Sequence, residues 1–258
     1  MKSIKLLDIE VPQFKNLKKI PKNIWYIGNL DLLKRPMVTI VGTRRPSAYT
    51  KDLTYKLARE LSKRGVVVVS GAAMGVDALA HRGAKEQNTI AVVANGLDIR
   101  YPAVNKKLIE SIESKGLVLS IFEEGFRATK WSFVVRNELV VALGDCLIVT
   151  EADLNSGTSR SVEYAKRMKK EIFVIPHRLN ESRLTNSLLE QGIAKPIYNI
   201  EEFANRYGSV GSNENEFIKY LNTKPTFDEA ITAYGDKIYE AELEGIIAIE
   251  NGYIVVKI

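Results

Sequence analysis

The feature that most constrains the fold of this sequence is an alternation between residues 38 and 200 of short apolar runs with longer segments of helical periodicity. The apolar runs are rich in Val and Ile and lack polar alternation, which is typical of strands buried on both faces of a sheet. Between two of them, Leu53, Leu57 and Leu61 recur at the spacing of one helix face, and Gly65 follows as a helix stop. The six predicted strands lie in VTIVG, VVVVSG, TIAVVAN, LVLSIF, CLIVTEA and EIFVIP.

This alternation predicts an α/β fold with a Rossmann-like open parallel sheet that carries helices on both faces. The sheet domain is predicted to span residues 38–207, with the basic, irregular residues 1–37 packed along its edge as an extension. A Gly- and Ser-rich stretch predicts a linker at 208–213. Residues 214–258 show three short helical patterns and then a hairpin with an Asn-Gly turn, which is the layout of a small winged-helix-like domain.

Charge and cysteine content limit the partners and the compartment. The formal net charge is +6, but residues 214–258 contain nine acidic and four basic residues, so the preceding residues hold 33 basic against 22 acidic residues. A basic body favours a polyanionic partner, whereas an acidic C-terminal domain argues against duplex binding there and suits protein contact. The single cysteine, Cys146, excludes an internal disulfide and favours a reducing compartment. Because no apolar run reaches the roughly 20 residues of a membrane helix, we expect a cytoplasmic protein with no membrane partner.

Three predicted strand ends place glycine or hydroxyl residues directly before a helix. The carboxyl ends of parallel strands meet at one edge of a sheet, and the N–H groups at helix N-termini attract anions. An arginine in such a turn adds a planar, permanently charged group that suits a phosphate. The sequence therefore predicts a cluster of anion sites at Gly42, Arg44, Ser47, Ser70, Gly71, Ser156 and Gly157.

The segment GFRATKWSFVVRN interleaves cations with aromatic side chains. Lys130 and Arg136 supply charge, while Trp131 and Phe133 supply rings on which unpaired bases can stack. This combination is typical of sites for single-stranded nucleic acid. Either aromatic residue alone could equally belong to the core, and Phe133 is the stronger candidate for stacking.

At these motifs the chain resembles the DNA-processing protein A family, also called DprA or Smf. The resemblance covers about residues 20–207 and rests on five motifs in the family's order and spacing: GTRRPSAY, SGAAMGVDALAHRGA, NGLDIRYPAVNKKL, FVVRNELV and NSGTSRSVEYA. It implies a Rossmann-like domain that binds single-stranded DNA without cutting it, and duplex DNA at most more weakly. It also implies a homodimer that protects incoming DNA and promotes loading of the RecA recombinase during natural transformation.

The resemblance also assigns residues. Gly42, Arg44 and Ser47 match the family's phosphate-binding turn, and the F-x-x-R-N segment matches at Phe133, Arg136 and Asn137. The second strand end and the later Ser-Gly turn match as well. We expect no catalytic residue, metal or cofactor, and we expect the dimer contact around residues 160–205. The full predicted DNA-binding set is Gly42, Arg44, Ser47, Ser70, Gly71, Lys130, Phe133, Arg136, Asn137, Ser156, Gly157 and Lys166.

Three alternatives remain open from the sequence. A magnesium nuclease would use carboxylates among Asp77, Glu123, Glu124, Glu151 and Asp153. A nucleotide phosphoribohydrolase of the lysine-decarboxylase-like group would share the sheet design. That group carries a P-G-G-x-G-T-x-x-E turn, whereas this chain has Asn-Ser-Gly there and places Glu163 two positions too late. A protein-interaction adaptor would use the acidic C-terminal domain without nucleic acid.

Overall fold

The computed structural model describes residues 3–208 and 212–257, and the chain divides into two compact units after Gly208. Half of the predicted linker, 208–213, lies outside the described residues, because 209–211 are among those left out. Within the described parts of the chain, no helix combines the length and the apolar character needed to cross a bilayer.

The first unit is built on a nine-stranded sheet. Its order is β1-β2-β6-β5-β4-β3-β7-β8-β9, and the strands from β3 to β9 are all parallel. The predicted parallel sheet is confirmed, since all six apolar runs supply strands with buried side chains in its centre. In chain order the strands are β1 (Lys5–Leu6), β2 (Trp25–Gly28), β3 (Met37–Val41), β4 (Val67–Ser70), β5 (Thr89–Val92), β6 (Leu117–Ser120), β7 (Cys146–Val149), β8 (Ile172–Val174) and β9 (Lys195–Pro196).

Three strands at the two edges of the sheet have no counterpart among the predicted strands. β2 pairs with β6 in antiparallel register, with Tyr26 opposite Leu119, and β1 pairs with β2. β9 extends the other edge by only two residues. β1 and β9 have two residues each, too few for an apolar pattern, whereas β2 has four residues of which only Ile27 is buried.

Helices cover both faces of the sheet. One face packs α4, α5 and α6 over a core that includes Leu139, Leu147 and Val162, and the opposite face packs α1, α2, α3 and α7 over side chains such as Leu57 and Ile112. The helices are α1 (Ala48–Lys63), α2 (Val76–Ala84), α3 (Lys106–Lys115), α4 (Lys130–Leu143), α5 (Gly157–Arg167), α6 (Arg183–Glu190) and α7 (Ile200–Ala204).

The first helix shows how local sequence sets these boundaries. Ser47 caps α1 by accepting a hydrogen bond from the Thr50 N–H, and Leu57 and Leu61 are fully buried on its inner face. Gly65 follows the helix at φ +75°, a left-handed conformation that favours glycine and ends the helix as expected.

The second unit contains α8 (Ser212–Leu221), α9 (Phe227–Tyr234), α10 (Lys237–Leu243), β10 (Ile247–Glu250) and β11 (Tyr253–Val256). The two strands form an antiparallel hairpin, and both turn residues, Asn251 and Gly252, have positive φ. Such a turn suits the right-handed twist of a hairpin. Phe217, Leu221 and Ile238 contribute to a separate apolar core, so three helices and a hairpin fold around a centre of their own.

Candidate nucleic-acid interface

A cleft of about 740 Å³ lies at the carboxyl edge of the parallel strands. The turns after β3 and β4 face the first turns of α4 and α5 across it. The chain builds the sheet from β3 to β6 in one direction and then returns to place β7 on the other side of β3. Ligands of open α/β sheets bind at such a reversal of strand order, so the fold itself marks this cleft as a candidate site.

The turn after β3 brings an arginine to the cleft without a partner. Gly42 is required here, because a Cβ would lie 2.7 Å from Val76 Cγ2 and 2.9 Å from the carbonyl oxygen of Glu151. Both backbone groups of the next residue form hydrogen bonds: the Thr43 N–H donates to the carbonyl oxygen of Glu151, and the Thr43 carbonyl oxygen accepts from the Val76 N–H. Arg44 then reaches over the cleft, with its Cζ 5.3 Å from the centroid of the Phe133 ring. No described residue forms a hydrogen bond or ion pair with this exposed guanidinium.

Ser47, predicted as part of the phosphate turn, is not among the residues that line the cleft. Its Oγ donates to Glu151 Oε2 at 2.9 Å, and its N–H donates to the same oxygen at 3.0 Å. Partial burial raises the pKa of Glu151, but hydrogen bonds from Thr50 and Ser47 outweigh it and leave the pKa below its usual value. A carboxylate therefore lies against the N-terminus of α1, and Ser47 caps that helix.

The inner wall of the cleft, which we call the cleft floor, consists of Gly71, Asp77 and Arg136. The Arg136 guanidinium is 3% exposed and donates to the carbonyl oxygens of Gly71 and Val92. The Asp77 carboxylate accepts from Gly71 N–H at 3.2 Å and from Ala73 N–H at 3.3 Å. The floor is thus a buried Arg–Asp arrangement that holds the turn after β4.

The floor leaves little room for a ligand at Gly71 itself. A Cβ on Gly71 would lie 2.5 Å from Arg136 Nη1 and 2.7 Å from Asp77 Oδ2, so glycine is required for the arginine to reach its acceptors. Burial lowers the pKa of Arg136 to about 10, with the Asp77 charge opposing and the Arg44 charge adding to this shift. Burial also raises the pKa of Asp77, against the pull of the Arg136 charge. Arg136, predicted as a DNA ligand, is mainly a structural cation.

Helix α4 presents one face to the cleft. Thr129 and Ser132 form a capping box at its start, which fixes the first turn. Lys130, Phe133 and Asn137 follow at helical spacing and all line the cleft. Asn137 Oδ1 accepts from Arg136 Nε at 3.1 Å, so this amide supports the floor.

Phe133 lies at the centre of the cleft, half-buried between other groups. The Tyr101 ring lies 6.2 Å away, centroid to centroid, and the guanidinium carbons of Arg44 and Arg136 lie at 5.3 and 5.5 Å. A half-exposed ring between two cations is suited to stacking against a planar, electron-rich group.

The N-terminus of α5 differs from that of α1 because no acid lies against it. Ser156 and Ser159 form a capping box, and Ser156 and Gly157 line the cleft. A Cβ on Gly157 would meet no atom within 4 Å, so the surrounding protein does not require glycine there. Arg160 lines the cleft one turn further on, and no described residue pairs with it. We call Arg44, Lys130, Ser156, Gly157 and Arg160 the cleft rim.

Two predicted residues lie away from the cleft. Ser70 is fully buried and its Oγ donates to the Ile40 carbonyl at 2.7 Å, so its side chain links two strands. Lys166 is in the last turn of α5 and pairs with Glu163 at 3.2 Å. The first side chain therefore lies inside the sheet, and the second lies about two turns from the N-terminus of α5.

The sequence prediction missed Tyr101 and Arg160. Arg160 follows Gly157 by three residues, so the helical period alone would have placed it beside the Ser-Gly turn. Tyr101 comes from the long segment after β5, and no local pattern indicates that its ring reaches Phe133.

The groups weighed as catalytic candidates are dispersed. Among the described residues, no three His, Cys, Asp or Glu side chains lie close enough to hold a metal ion together. Glu163, the acid nearest to the phosphoribohydrolase pattern, is exposed and paired with Lys166. Cys146 is buried, and that burial raises the pKa of its thiol to about 11, so it remains protonated at neutral pH. Trp131 is 62% exposed and touches Phe122 edge-on, so it is not a core residue.

The fold and the site define a Rossmann-like α/β protein with a cationic, aromatic cleft at the switch point of its sheet. A family model described as DNA recombination-mediator protein A matches residues 5–208. The chain belongs to this family, and the resemblance seen in the motifs is confirmed.

Relatives and solved structures agree with this placement. The DNA processing protein DprA of Streptococcus pneumoniae is 39% identical over 158 residues, which make up 60% of this chain and 56% of the relative. The Bacillus subtilis protein of the same name is 31% identical over 193 residues, or 73% of this chain and 65% of the relative. The chain spans about half the length of several curated relatives, from 41% to 52%.

Among solved structures, DNA processing protein A from Helicobacter pylori, known for its single-stranded DNA binding mode, aligns with a TM-score of 0.77 and 45% identity. The alignment covers 80% of this chain and 97% of that one. The Streptococcus pneumoniae structure aligns with a TM-score of 0.72 and 33% identity, covering 78% of this chain and 72% of that one.

Proposed function

We propose that this protein binds single-stranded DNA in the cleft, with phosphates at the rim and a base on the Phe133 ring. The observation that carries the proposal is the set of three exposed cations, Arg44, Lys130 and Arg160, that line the same cleft as the half-buried Phe133 ring and form no hydrogen bond or ion pair with any described residue. Free cations neutralise phosphates, and an aromatic face accepts any unpaired base.

The recessed position of Phe133 supports single-stranded over duplex DNA. A base in a duplex is already stacked on both faces, so it can reach a ring inside a cleft only after it leaves the stack. Duplex DNA is left with the phosphate contacts at the rim and binds more weakly.

Gly157 supports a phosphate position at the N-terminus of α5. Its N–H belongs to the first turn of the helix, and the open space beside its Cα lets an anion approach the backbone closely. Among the described residues no atom requires glycine at this position, and the open space is available to a ligand that approaches the backbone.

Family membership supports the wider role. The protein takes up internalised single strands in the cytoplasm, protects them, and promotes loading of the RecA recombinase during natural transformation. It acts as a homodimer through the later part of the sheet unit, around residues 160–205. Light scattering at high micromolar concentration tests the dimer, which a purely monomeric sample would contradict.

Binding without turnover is part of the proposal. Asp77, an acid that lines the cleft, accepts hydrogen bonds from the Gly71 and Ala73 N–H groups and lies in the field of the Arg136 charge, which gives it a structural role in the turn after β4. The rival phosphoribohydrolase function predicts release of adenine from adenosine monophosphate. Adenine release that persists after repurification of the protein and is lost in the Asp77→Asn variant would establish the phosphoribohydrolase function.

Replacement of Phe133 tests the proposal most simply. Phe133→Ala should lower the affinity for a labelled oligothymidine by about 1–3 kcal/mol at every salt concentration, because a stacking face is lost while the phosphate contacts remain. Tyr55→Ala, which removes an exposed ring on α1, is the matched control and should bind like wild type. Equal affinity of Phe133→Ala and wild type would contradict base stacking in the cleft.

A further inference from the structure

A lysine-rich stretch near the N-terminus has no role in the cleft. Residues 15–22, KNLKKIPK, hold four lysines and no acid, and we call this stretch the lysine segment. All four lysines are exposed. Lys15 pairs with Glu10 at 3.1 Å, whereas no described residue pairs with the ammonium groups of Lys18, Lys19 and Lys22. Three unpaired, solvated cations in eight residues form a strong local positive field.

The lysine segment is fixed to the sheet unit. Phe14, directly before it, is buried in the core that α4 and α5 share, and Leu17 within it packs against the same core. The Lys18 N–H donates to Glu138 Oε1 on α4 at 2.9 Å. The positive charge is therefore held at a defined place on α4.

Helix α4 connects this place to the cleft. Lys130, at the rim, and Glu138, beside Lys18, are eight residues apart, which is about 12 Å along a helix that rises about 1.5 Å per residue. A strand that leaves the cleft over the first turn of α4 reaches the lysine segment within a few nucleotides.

The groove between α4 and α5 carries further groups that suit a strand. Tyr164 on α5 donates its hydroxyl to the Val134 carbonyl of α4, and the Arg167 guanidinium lies 5.1 Å from the centre of the Tyr164 ring. Arg167 also pairs with Glu138, next to Lys18. Cations and an aromatic ring thus continue from Arg160 at the rim to the lysine segment.

The acids along this route are already neutralised. Glu138 accepts from both Arg167 and the Lys18 N–H, and Glu163 pairs with Lys166. The route keeps an excess of positive charge after these pairs are counted, because no acid among the described residues pairs with Arg160, Lys18, Lys19 or Lys22.

We propose that the lysine segment is a second contact surface for single-stranded DNA, where Lys18, Lys19 and Lys22 bind the phosphates of the strand that leaves the cleft along α4. This inference rests on the proposed function of the cleft. It predicts that a short oligonucleotide fills only the cleft, whereas a longer one uses both surfaces.

The test compares two oligothymidines, of about 5 and about 15 nucleotides, which fall within the range of single-strand site sizes. The triple variant Lys18→Gln, Lys19→Gln, Lys22→Gln should bind the short probe like wild type. For the long probe its salt slope should shrink by about 2, since each lost phosphate contact removes about 0.7. The ratio of wild-type affinity to variant affinity for the long probe should then fall about 20-fold when the salt concentration rises from 50 to 200 mM.

A second triple variant, Lys56→Gln, Lys107→Gln, Lys115→Gln, removes the same charge from exposed positions on α1 and α3, on the other face of the sheet. It should match wild type on both probes. A wild-type slope for the first triple variant on the long probe overturns the inference, and so does equal damage by the two triple variants. The Arg44→Ala variant distinguishes a failure of this inference from a failure of the proposed function. If Arg44→Ala binds both probes like wild type, the cleft itself is not the DNA site.

Discussion

The cleft floor and the cleft rim use the same kind of side chain for opposite purposes. Arg136 in the floor is buried and donates to two backbone carbonyls, whereas Arg44 at the rim is exposed and forms no hydrogen bond or ion pair with a described residue. Both guanidinium groups lie within 5.5 Å of the Phe133 ring centre. Position beside the ring therefore does not decide which arginine is available to a ligand; hydrogen-bond saturation does.

The two regions should also fail differently when they are changed. A change in the floor removes hydrogen bonds that hold the turn after β4, so it should reduce the free energy of unfolding. A change at the rim removes a group that the folded protein does not use, so it should reduce only the affinity for DNA.

The largest expected effect comes from breaking the floor. Arg136→Met leaves the buried Asp77 carboxylate without its cation and two carbonyls without a donor, which should lower the free energy of unfolding by about 3–5 kcal/mol. Urea denaturation measures the loss. Arg44→Met is the matched control and should unfold at the wild-type urea concentration. Equal free energies of unfolding for the two variants would contradict the assignment of a structural role to the floor and not to the rim.

A smaller effect concerns acid stability. His81 is buried beside the floor, and its Nδ1–H donates to Thr89 Oγ1, because that hydroxyl already donates to the Val68 carbonyl. Burial, aided by the Arg136 charge, lowers the pKa of His81 to about 3. Below pH 6.5 this histidine is protonated in the unfolded chain but stays neutral in the folded protein. The free energy of unfolding should therefore fall as the pH falls, by up to about 1.4 kcal/mol per pH unit.

Asp77 acts in the opposite sense. Its raised pKa means that the native protein takes up a proton more readily than the unfolded chain, so acid relieves part of its burial cost. The difference between wild type and His81→Gln, followed by urea denaturation from pH 7 to pH 4, isolates the histidine. An identical pH dependence in the two proteins would show that His81 is not held neutral beside the floor.

The central sheet follows directly from the sequence. Its strands are buried on both faces, so each appears as an apolar run rich in Val and Ile between segments of helical length. The edge strands β1 and β9 escape prediction because each has only two residues, and β2 escapes it because Ile27 is its one buried residue and its pairing partner, β6, is far away in sequence.

The cleft is only partly predictable, for a related reason. Gly42, Arg44, Phe133 and the Ser-Gly turn before α5 lie at the cleft because strand ends and helix starts place them there. Ser47 and Ser70 occupy equivalent local positions, yet their side chains bond to Glu151 and Ile40. Glu151 is 104 residues from Ser47, so no local pattern shows that the N-terminus of α1 is already filled.

The most direct test of the account compares the adjacent arginines of the turn after β3. Arg44 extends over Phe133 in the cleft, whereas Arg45 is exposed outside it and uses its N–H to bind Thr43 Oγ1. A labelled oligothymidine is titrated with wild type, Arg44→Ala and Arg45→Ala at several salt concentrations. Arg44→Ala should bind about tenfold more weakly, or about 1.4 kcal/mol, with a salt slope smaller by about 0.7, while Arg45→Ala should match wild type. Wild-type binding by Arg44→Ala, or greater damage in Arg45→Ala, would contradict the assignment of the rim as the phosphate site.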